Sequence, residues 1–227
     1  MVDTIRLVVG FDQREAVAYH VFCQSVLEKA SAPVSFLPLV RGSIPGYVEY
    51  HSDGSNHFTY SRFLVPYLFD YKGWAIFVDG DMVCNDDILR LWAMRDETKA
   101  VMVAKHEYIS KHSMKYLGNQ NRNYPRKNWS SVVLWNCSHP SNLILTPDFI
   151  SSKDGAFLHR FHWLNEDLIG EIPLLWNWLA TEYDAINDAS LIHYTLGTPC
   201  FLDYRCSDMS DYWHEAFSRA LNVSEES

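Results

Sequence analysis

Two hydrophobic rhythms alternate along the chain. Residues 5–10, IRLVVG, form a short apolar, β-branched run closed by glycine, the pattern of a strand buried on both faces. DQREAVAYHVFCQSVLEKAS follows, with Ala16, Tyr19, Val26 and Ala30 near one face of a helix. VSFLPL (34–39) predicts a second strand. A β-α-β opening implies a parallel sheet. Residues 41–57 are rich in Gly, Ser and His and read as loop. YSRFLVPYLF (60–69) predicts a helix kinked or restarted at Pro66. WAIFVDGD is the next strand, and NDDILRLWAM restarts a helix with Asp86 or Asp87 near its N-terminus. AVMVAK (100–105) and SSVVLWN (130–136) read as strands around a polar, irregular stretch at 106–128, a candidate mobile loop. HPSNLILTPDFI and FLHRFHWLNEDLIGEI are expected to be helical. LIHYTLGTP (191–199) predicts a strand entering a Gly/Pro turn, and DMSDYWHEAFSRALNV an amphipathic helix. The expected class is α/β, with a mostly parallel central sheet flanked by helices. The 227 residues show no internal repeat and suit a single domain, 1–227.

Composition narrows the partners. A net charge of −9, with no Lys/Arg cluster beyond RKNW at 126–129, argues against nucleic acid as the main partner. An anionic ligand would need a metal or a few placed arginines to offset that acidity. The 8 Trp and 13 Tyr suit packing first and sugar stacking second. Five cysteines without a C-x-x-C argue against a zinc site and a disulfide framework, and favour a reducing compartment. The N-terminal MVDTIRLVVGFDQ carries acids where a signal peptide carries basic residues, and no run approaches the roughly 20 apolar residues of a membrane span. The expected location is the cytoplasm. Contact with a membrane surface stays open, as does the oligomeric state.

Chemistry concentrates at strand ends, where open α/β sheets bind ligands. The bare pattern Asp79-Gly80-Asp81 is weak, but it follows the wholly apolar WAIFV. Two uncompensated carboxylates emerging from a buried strand would repel each other, and a divalent cation removes that conflict. Hard oxygen ligands suit Mg²⁺ or Mn²⁺, with phosphate oxygens completing the shell. Gly80 would let a diphosphate approach the backbone. A turn or helix-capping pair is the bland alternative. His193, among apolar neighbours, is by itself more simply a packed core residue; beside carboxylates it would tilt a site towards Mn²⁺. Asp12 and Glu15 have the D-x-x-E spacing of a capping box, and Asp12 reads equally as a cap or as an acceptor for a base N–H. Arg62, on an apolar helix, requires an anion, either phosphate or carboxylate.

Taken together, TYSRFLVPYLFDYKGWAIFVDGDMVCNDDI, GFDQREAVAYHVFCQSVLEKAS, RKNWSSVVLWN and IHYTLGTP resemble the glycogenin-like family 8 retaining glycosyltransferases, in particular phage and bacterial members. The resemblance implies a GT-A (Rossmann-like) fold and transfer of a hexose from a nucleotide sugar, a UDP-sugar, to a glycan, lipid or protein acceptor. It implies Mn²⁺, with Mg²⁺ as the alternative, held by Asp79, Asp81 and His193. Arg62 would contact the donor near its phosphates or ribose. Gly10, Phe11, Asp12 and Arg14 would form the base end, and Gly80 and Gly197 would line the nucleotide's path. Asn165, Glu166 and Asp167 stand where the family has D-Q-D, beside the transferred sugar. Four departures accompany this. Glu166 replaces Gln and Asn165 replaces Asp. The lysine that follows the family's C-terminal His is absent, with GTPCF in its place and Arg205 as a candidate substitute. The strand SSVVLWN lacks the family's Asn-x-Gly form. Retention would follow either from acceptor attack on the leaving-group face or from a covalent intermediate on Glu166 or Asp167.

Two other functions fit parts of the sequence. VDGDMV matches the D-x-D-x-[TV] strand end of haloacid-dehalogenase-type phosphohydrolases, although that motif normally ends the first strand. The aromatic content also suits a non-catalytic carbohydrate-binding protein.

Overall fold

The computed structural model describes residues 4–221. Residues 1–3, part of the leader reading, and 222–227, which include the last two positions of the predicted C-terminal helix, lie outside the described residues. The chain opens as β1 (Ile5–Phe11), α1 (Ala16–Leu27) and β2 (Val34–Val40). It continues through α2 (Val65–Leu68), β3 (Trp74–Val78), β4 (Met82–Cys84), α3 (Ile88–Trp92), β5 (Val101–Ala104) and β6 (Val132–Asn136). The last part holds α4 (Pro147–Ser151), α5 (Gly155–His159), β7 (Ile169–Ile172), β8 (Trp178–Leu179), β9 (Leu191–His193) and α6 (Ser210–Leu221).

Six strands form the main sheet in the order β2-β1-β3-β6-β5-β7. Every neighbouring pair is parallel except the two that involve β6, which runs against both β3 and β5. The sheet is therefore mostly parallel, with one reversed strand. β3 is buried on both faces, and its side chains alternate. Ala75 and Phe77 join Phe63, Trp135 and Phe161 on one side. Ile76 and Val78 join Phe22 and Val26 of α1 and Trp92 of α3 on the other. Each such large side chain taken from water contributes roughly 1.5–3 kcal/mol, which fixes β3 as the sheet's axis. α6 packs against α1 through Trp213, Ala216 and Val21.

Local chemistry explains most element ends. Asp87 caps α3 by accepting from the Leu89 N–H, and Thr146 and Asp154 cap α4 and α5 in the same manner. A 3₁₀ turn at Ser61–Leu64 leads into α2, which carries Pro66 in its first turn; this is the break expected there. The stretch expected to be one helix through residue 172 instead ends α5 at His159, and residues 169–172 form an edge strand beside β5. Three short strands, β4-β9-β8, make a second sheet in which Met82 is in register with His193.

The reversed strand shapes the ligand edge. β1 and β3 end there, while β6 begins there, and the Asp79 N–H donates to Ser131 O at 2.9 Å. The opposite edge holds Trp74 beside Asn136, with the Ala100 N–H donating to Leu168 O.

Candidate metal centre

β3 delivers Asp79 as it surfaces, and the next residue must be glycine. A Cβ on Gly80 would collide with the carbonyl oxygen of Gly10 at the end of β1. Gly80 therefore answers a close approach of two strands, not only the approach of a ligand. The Asp81 carbonyl accepts from the Tyr194 N–H at 2.9 Å, which locks the D-x-D turn to the end of β9. The result gathers one atom each from Asp79, Asp81 and His193 within 4.8 Å of one another. All three residues are buried.

His193 is held in one tautomer. Its Nδ1 lies 2.9 Å from Asn177 Oδ1. The Asn177 amide nitrogen donates to the Asn128 carbonyl at 3.0 Å, which fixes the amide's orientation. Its oxygen must therefore accept, so His193 Nδ1 carries the proton. Nε2 faces the acids, 3.3 Å from Asp81 Oδ1 and 3.9 Å from Asp79 Oδ2, and is the ring nitrogen that a bound metal would take. A hydrogen bond on the far nitrogen is the usual support of a metal-ligating imidazole.

The charges fit a cation. Burial pushes the Asp79 carboxyl above its ordinary range, against Arg62, and Asp81 adds to the push. Burial also opposes ionisation of Asp81, but His193 outweighs it and holds that carboxyl low. Arg62 Nη1 sits 2.7 Å from Asp79 Oδ1 as an ion pair without hydrogen-bond alignment. It also donates to Ser130 O at 3.0 Å. Its guanidinium lies over the rings of Phe58 and Phe77. Neither Asp79 Oδ1 nor Asp81 Oδ1 receives a hydrogen bond. Buried acceptors without donors are costly, and two carboxylate oxygens beside an imidazole nitrogen suit a divalent ion of the manganese or magnesium type.

The three ligands and Arg62 line one cavity of about 740 Å³. Its walls come from residues 52–60, 115–131 and 155–160, with His193 and Thr195 at the back. Ser130 Oγ and His159 Nδ1 meet there at 2.7 Å, and burial holds His159 neutral, down to about 3.

The other sequence candidates have different places. Asp12 is a cap: it accepts from the Arg14 N–H at 2.9 Å and from its guanidinium, as well as from the His57 N–H. Arg14 lines a smaller adjoining cavity with Arg41, His51 and His57. Glu15, the expected capping-box partner, instead turns inward and accepts from Thr198 Oγ1 at 3.3 Å. Gly10 makes room for Phe58, and Phe11 packs on Tyr19. Gly197 sits at φ +155°, where a Cβ would strike the Tyr204 ring.

Asn165, Glu166 and Asp167 do not join the metal cluster. They precede β7 at the opposite edge of the main sheet, because β7 runs parallel to β5 and β3. Glu166 pairs with Arg126, and the Asp167 carbonyl accepts from Lys99. None of the three lines the cavity that holds Asp79. Glu166 nevertheless connects to its wall through Arg126, which donates to the carbonyl of the lining residue Arg160. Arg205 is exposed and likewise lies outside that cavity.

Asn177, Lys115, Lys127 and Glu182 were not among the sequence candidates. Asn177 did carry a signal: an amide within LLWNWL must be hydrogen-bonded if that run is buried. Lys115 and Lys127 sat in a stretch whose polarity read as solvated loop. Among the described residues, no helix is long and apolar enough to cross a membrane.

The sequence profile of glycosyl transferase family 8 matches residues 24–137, a span that includes Arg62, Asp79 and Asp81. Protein CDI of Arabidopsis thaliana is 40% identical over 217 residues, covering 92% of this chain and 84% of that protein. Among solved structures, the bifunctional glycosyltransferase WbbM superposes with a TM-score of 0.66 at 14% identity; 95% of this chain covers half of that one. The galactosyltransferase LgtC, in complex with donor and acceptor sugar analogues, gives a TM-score of 0.61 at 13% identity over 98% of both chains. These structural likenesses establish a shared GT-A fold. With the profile match and the 40% identity, the chain belongs to glycosyl transferase family 8.

Proposed function

We propose that this chain is a metal-dependent glycosyltransferase that moves a hexose from a UDP-sugar to a glycan, lipid or protein acceptor. The observation that carries the reading is the gathering of Asp79, Asp81 and His193 ligand atoms within 4.8 Å, at the wall of a cavity of about 740 Å³. Mn²⁺ is the favoured ion because one ligand is imidazole, with Mg²⁺ as the alternative. Bound there, the ion would offset the charge that grows on the departing diphosphate. Arg62 would add a fixed positive charge at the same end of the donor. Gly10, Phe11, Asp12 and Arg14 would shape the nucleotide end, with Gly80 and Gly197 keeping its path narrow. In this reading Asp12 organises Arg14 and His57 and does not itself meet the base.

We read the transfer as retaining. Neither Glu166 nor Asp167 lines the cavity with Asp79, which favours attack on the leaving-group face over a carboxylate nucleophile. The acceptor hydroxyl oxygen would form the new bond to the anomeric carbon. The bond from that carbon to the phosphate oxygen would break, and the hydroxyl proton would pass to the departing phosphate. The whole chain, 1–227, would act as one domain in a reducing compartment, the cytoplasm. A phosphohydrolase of the haloacid-dehalogenase type is set aside by the family 8 match, and the D-x-D follows β3, not the first strand.

Calorimetric titration of UDP into the chain with Mn²⁺ tests the reading. Binding that needs the metal and is lost in Asp81→Asn is expected, as is slow donor hydrolysis. Metal-independent binding of UDP, or none, would remove the proposal. An inverted product anomer by NMR would remove the retaining route alone.

A further inference from the structure

The segment between β5 and β6 brings an ammonium group to the metal cluster. Lys115 lines the cavity together with Asp79, Asp81 and Arg62. Its Nζ makes no hydrogen bond and no ion pair within 4.0 Å among the described residues. Burial pushes its pKa down, while Asp81 and then Asp79 are near enough to push it back up. The half-buried ammonium thus faces the cavity with room for an anion beside the cluster.

The backbone that carries this side chain is held in position. The Lys115 N–H donates to Asn119 O at 2.7 Å, and the Tyr116 N–H to Leu196 O at 2.6 Å, three residues beyond His193. The same segment is anchored by buried Glu182, which accepts from Ser110 Oγ and from the Lys111 N–H. The placement of Lys115 is thus tied to the turn that carries the histidine ligand.

A count of charge identifies what is missing. A dication between Asp79 and Asp81 cancels both carboxylates, and an imidazole that ligates it through Nε2, with its proton on Nδ1 towards Asn177, adds no charge. Arg122, Lys127 and Arg160 also line the cavity, but Arg62 and Lys115 are the lysine and arginine cations that act on the two aspartates, and they leave two positive charges beside the ion. The diphosphate of a nucleotide sugar carries two negative ones. We propose that Lys115 is a donor-binding residue whose ammonium takes a non-bridging oxygen of the diphosphate beside the ion held by Asp79, Asp81 and His193. The inference rests on the nucleotide-sugar reading above and assigns a residue to it.

The test uses the full chain, with UDP and Mn²⁺ as probes in calorimetry and thermal shift. Lys115→Met should weaken UDP binding in Mn²⁺ by about ten- to a hundredfold, the scale of one charge-assisted contact. Mn²⁺ binding alone should be unchanged or tighter, because a nearby positive charge is gone. The ligand-free melting temperature should not fall, since burial already disfavours this charge. Lys115→Arg should restore part of the UDP affinity, and Arg205→Gln should leave it unchanged. A purely structural role would instead lower the ligand-free melting temperature and the Mn²⁺ affinity. UDP binding by Lys115→Met at wild-type strength would overturn the assignment. If the wild-type chain ignores UDP with Mn²⁺, the nucleotide-sugar reading falls. Inorganic pyrophosphate with Mn²⁺ then decides Lys115: dependence on that lysine retains the anion site, and equal binding by Lys115→Met removes it.

Discussion

Asn177 accepts the Nδ1 proton of His193 at 2.9 Å, and its own amide is fixed by the Asn128 carbonyl. One buried amide therefore links the start of β6 to the imidazole of β9 and decides which ring nitrogen faces the carboxylates. Asn177→Ala removes that acceptor. Its expected effect is a loss of about ten- to a hundredfold in Mn²⁺ affinity, read by calorimetry. The unpaired Nδ1–H should also cost about 1–3 kcal/mol of stability, read by urea unfolding of the metal-free protein. Unchanged Mn²⁺ affinity would show that the amide does not set the tautomer.

Glu15 gives the metal-free protein a distinctive pH dependence. Burial, then Asp81 and Asp12, push its carboxyl up to about 8 from the ordinary 4.5. Between those values the native state holds the proton and the unfolded chain does not. This contribution to stability is therefore present below about 4.5 and is lost as pH rises through about 8. Glu15→Gln, which mimics the protonated form, should be more stable than wild type at pH 8.5 and close to it at pH 4.5. His106 and His159 act on the acid side. Burial holds each down to about 3, so their contribution is full above the ordinary 6.5 and is lost as pH falls towards 3. Urea midpoints across pH 4–9 would check both limbs.

Gly80→Ala should damage more than a turn. The new methyl group would push on the Gly10 carbonyl, part of the backbone of β1. Overpacking of this kind costs about 1–3 kcal/mol. The flanking Asp79 and Asp81 would also move apart, so Mn²⁺ affinity should fall with stability. A variant with normal unfolding but lost metal affinity would point to the ligand's approach, rather than β1, as the reason for the glycine.

Glu182→Ala should loosen the cavity wall and leave the sheet intact. It removes the acceptor for Ser110 Oγ and the Lys111 N–H, and Asn121, which holds Lys127 Nζ at 2.6 Å, loses a neighbour. Amide exchange over residues 108–122 should quicken by roughly ten- to a hundredfold, while exchange in β1 and β3 stays unchanged. Hydrogen-exchange mass spectrometry resolves the two regions. Uniform acceleration would mean that Glu182 supports the global fold instead.

The sequence made some of this architecture readable and concealed the rest for physical reasons. WAIFV has no polar residue, so a doubly buried strand ending in D-x-D was legible, as was the cap that Asp87 provides for α3. Strand direction was not, because an apolar run such as VVLWN reads the same whether its neighbours are parallel or antiparallel. Residues 166–172 read as helix because Leu168, Ile169 and Ile172 fall at helical spacing; pairing with β5 overrides that local preference. The meeting of His193 with the aspartates came from family resemblance, not from spacing, since it depends on a register between β4 and β9 over a hundred residues apart. Lys115 was invisible because a lysine in a polar stretch looks solvated until the wall it belongs to is folded.

The direction of β6 has a wider consequence. Because it runs against its neighbours, the stretch from β5 to β6 leaves and re-enters the sheet at one rim. Residues can be inserted or exchanged along that detour without disturbing any strand pairing. Apart from Lys115 and the bond that ties Tyr116 to Leu196, the wall facing the cavity is thus the part whose length the sheet leaves free, while Asp79, Asp81 and His193 stay anchored to the strands beneath it.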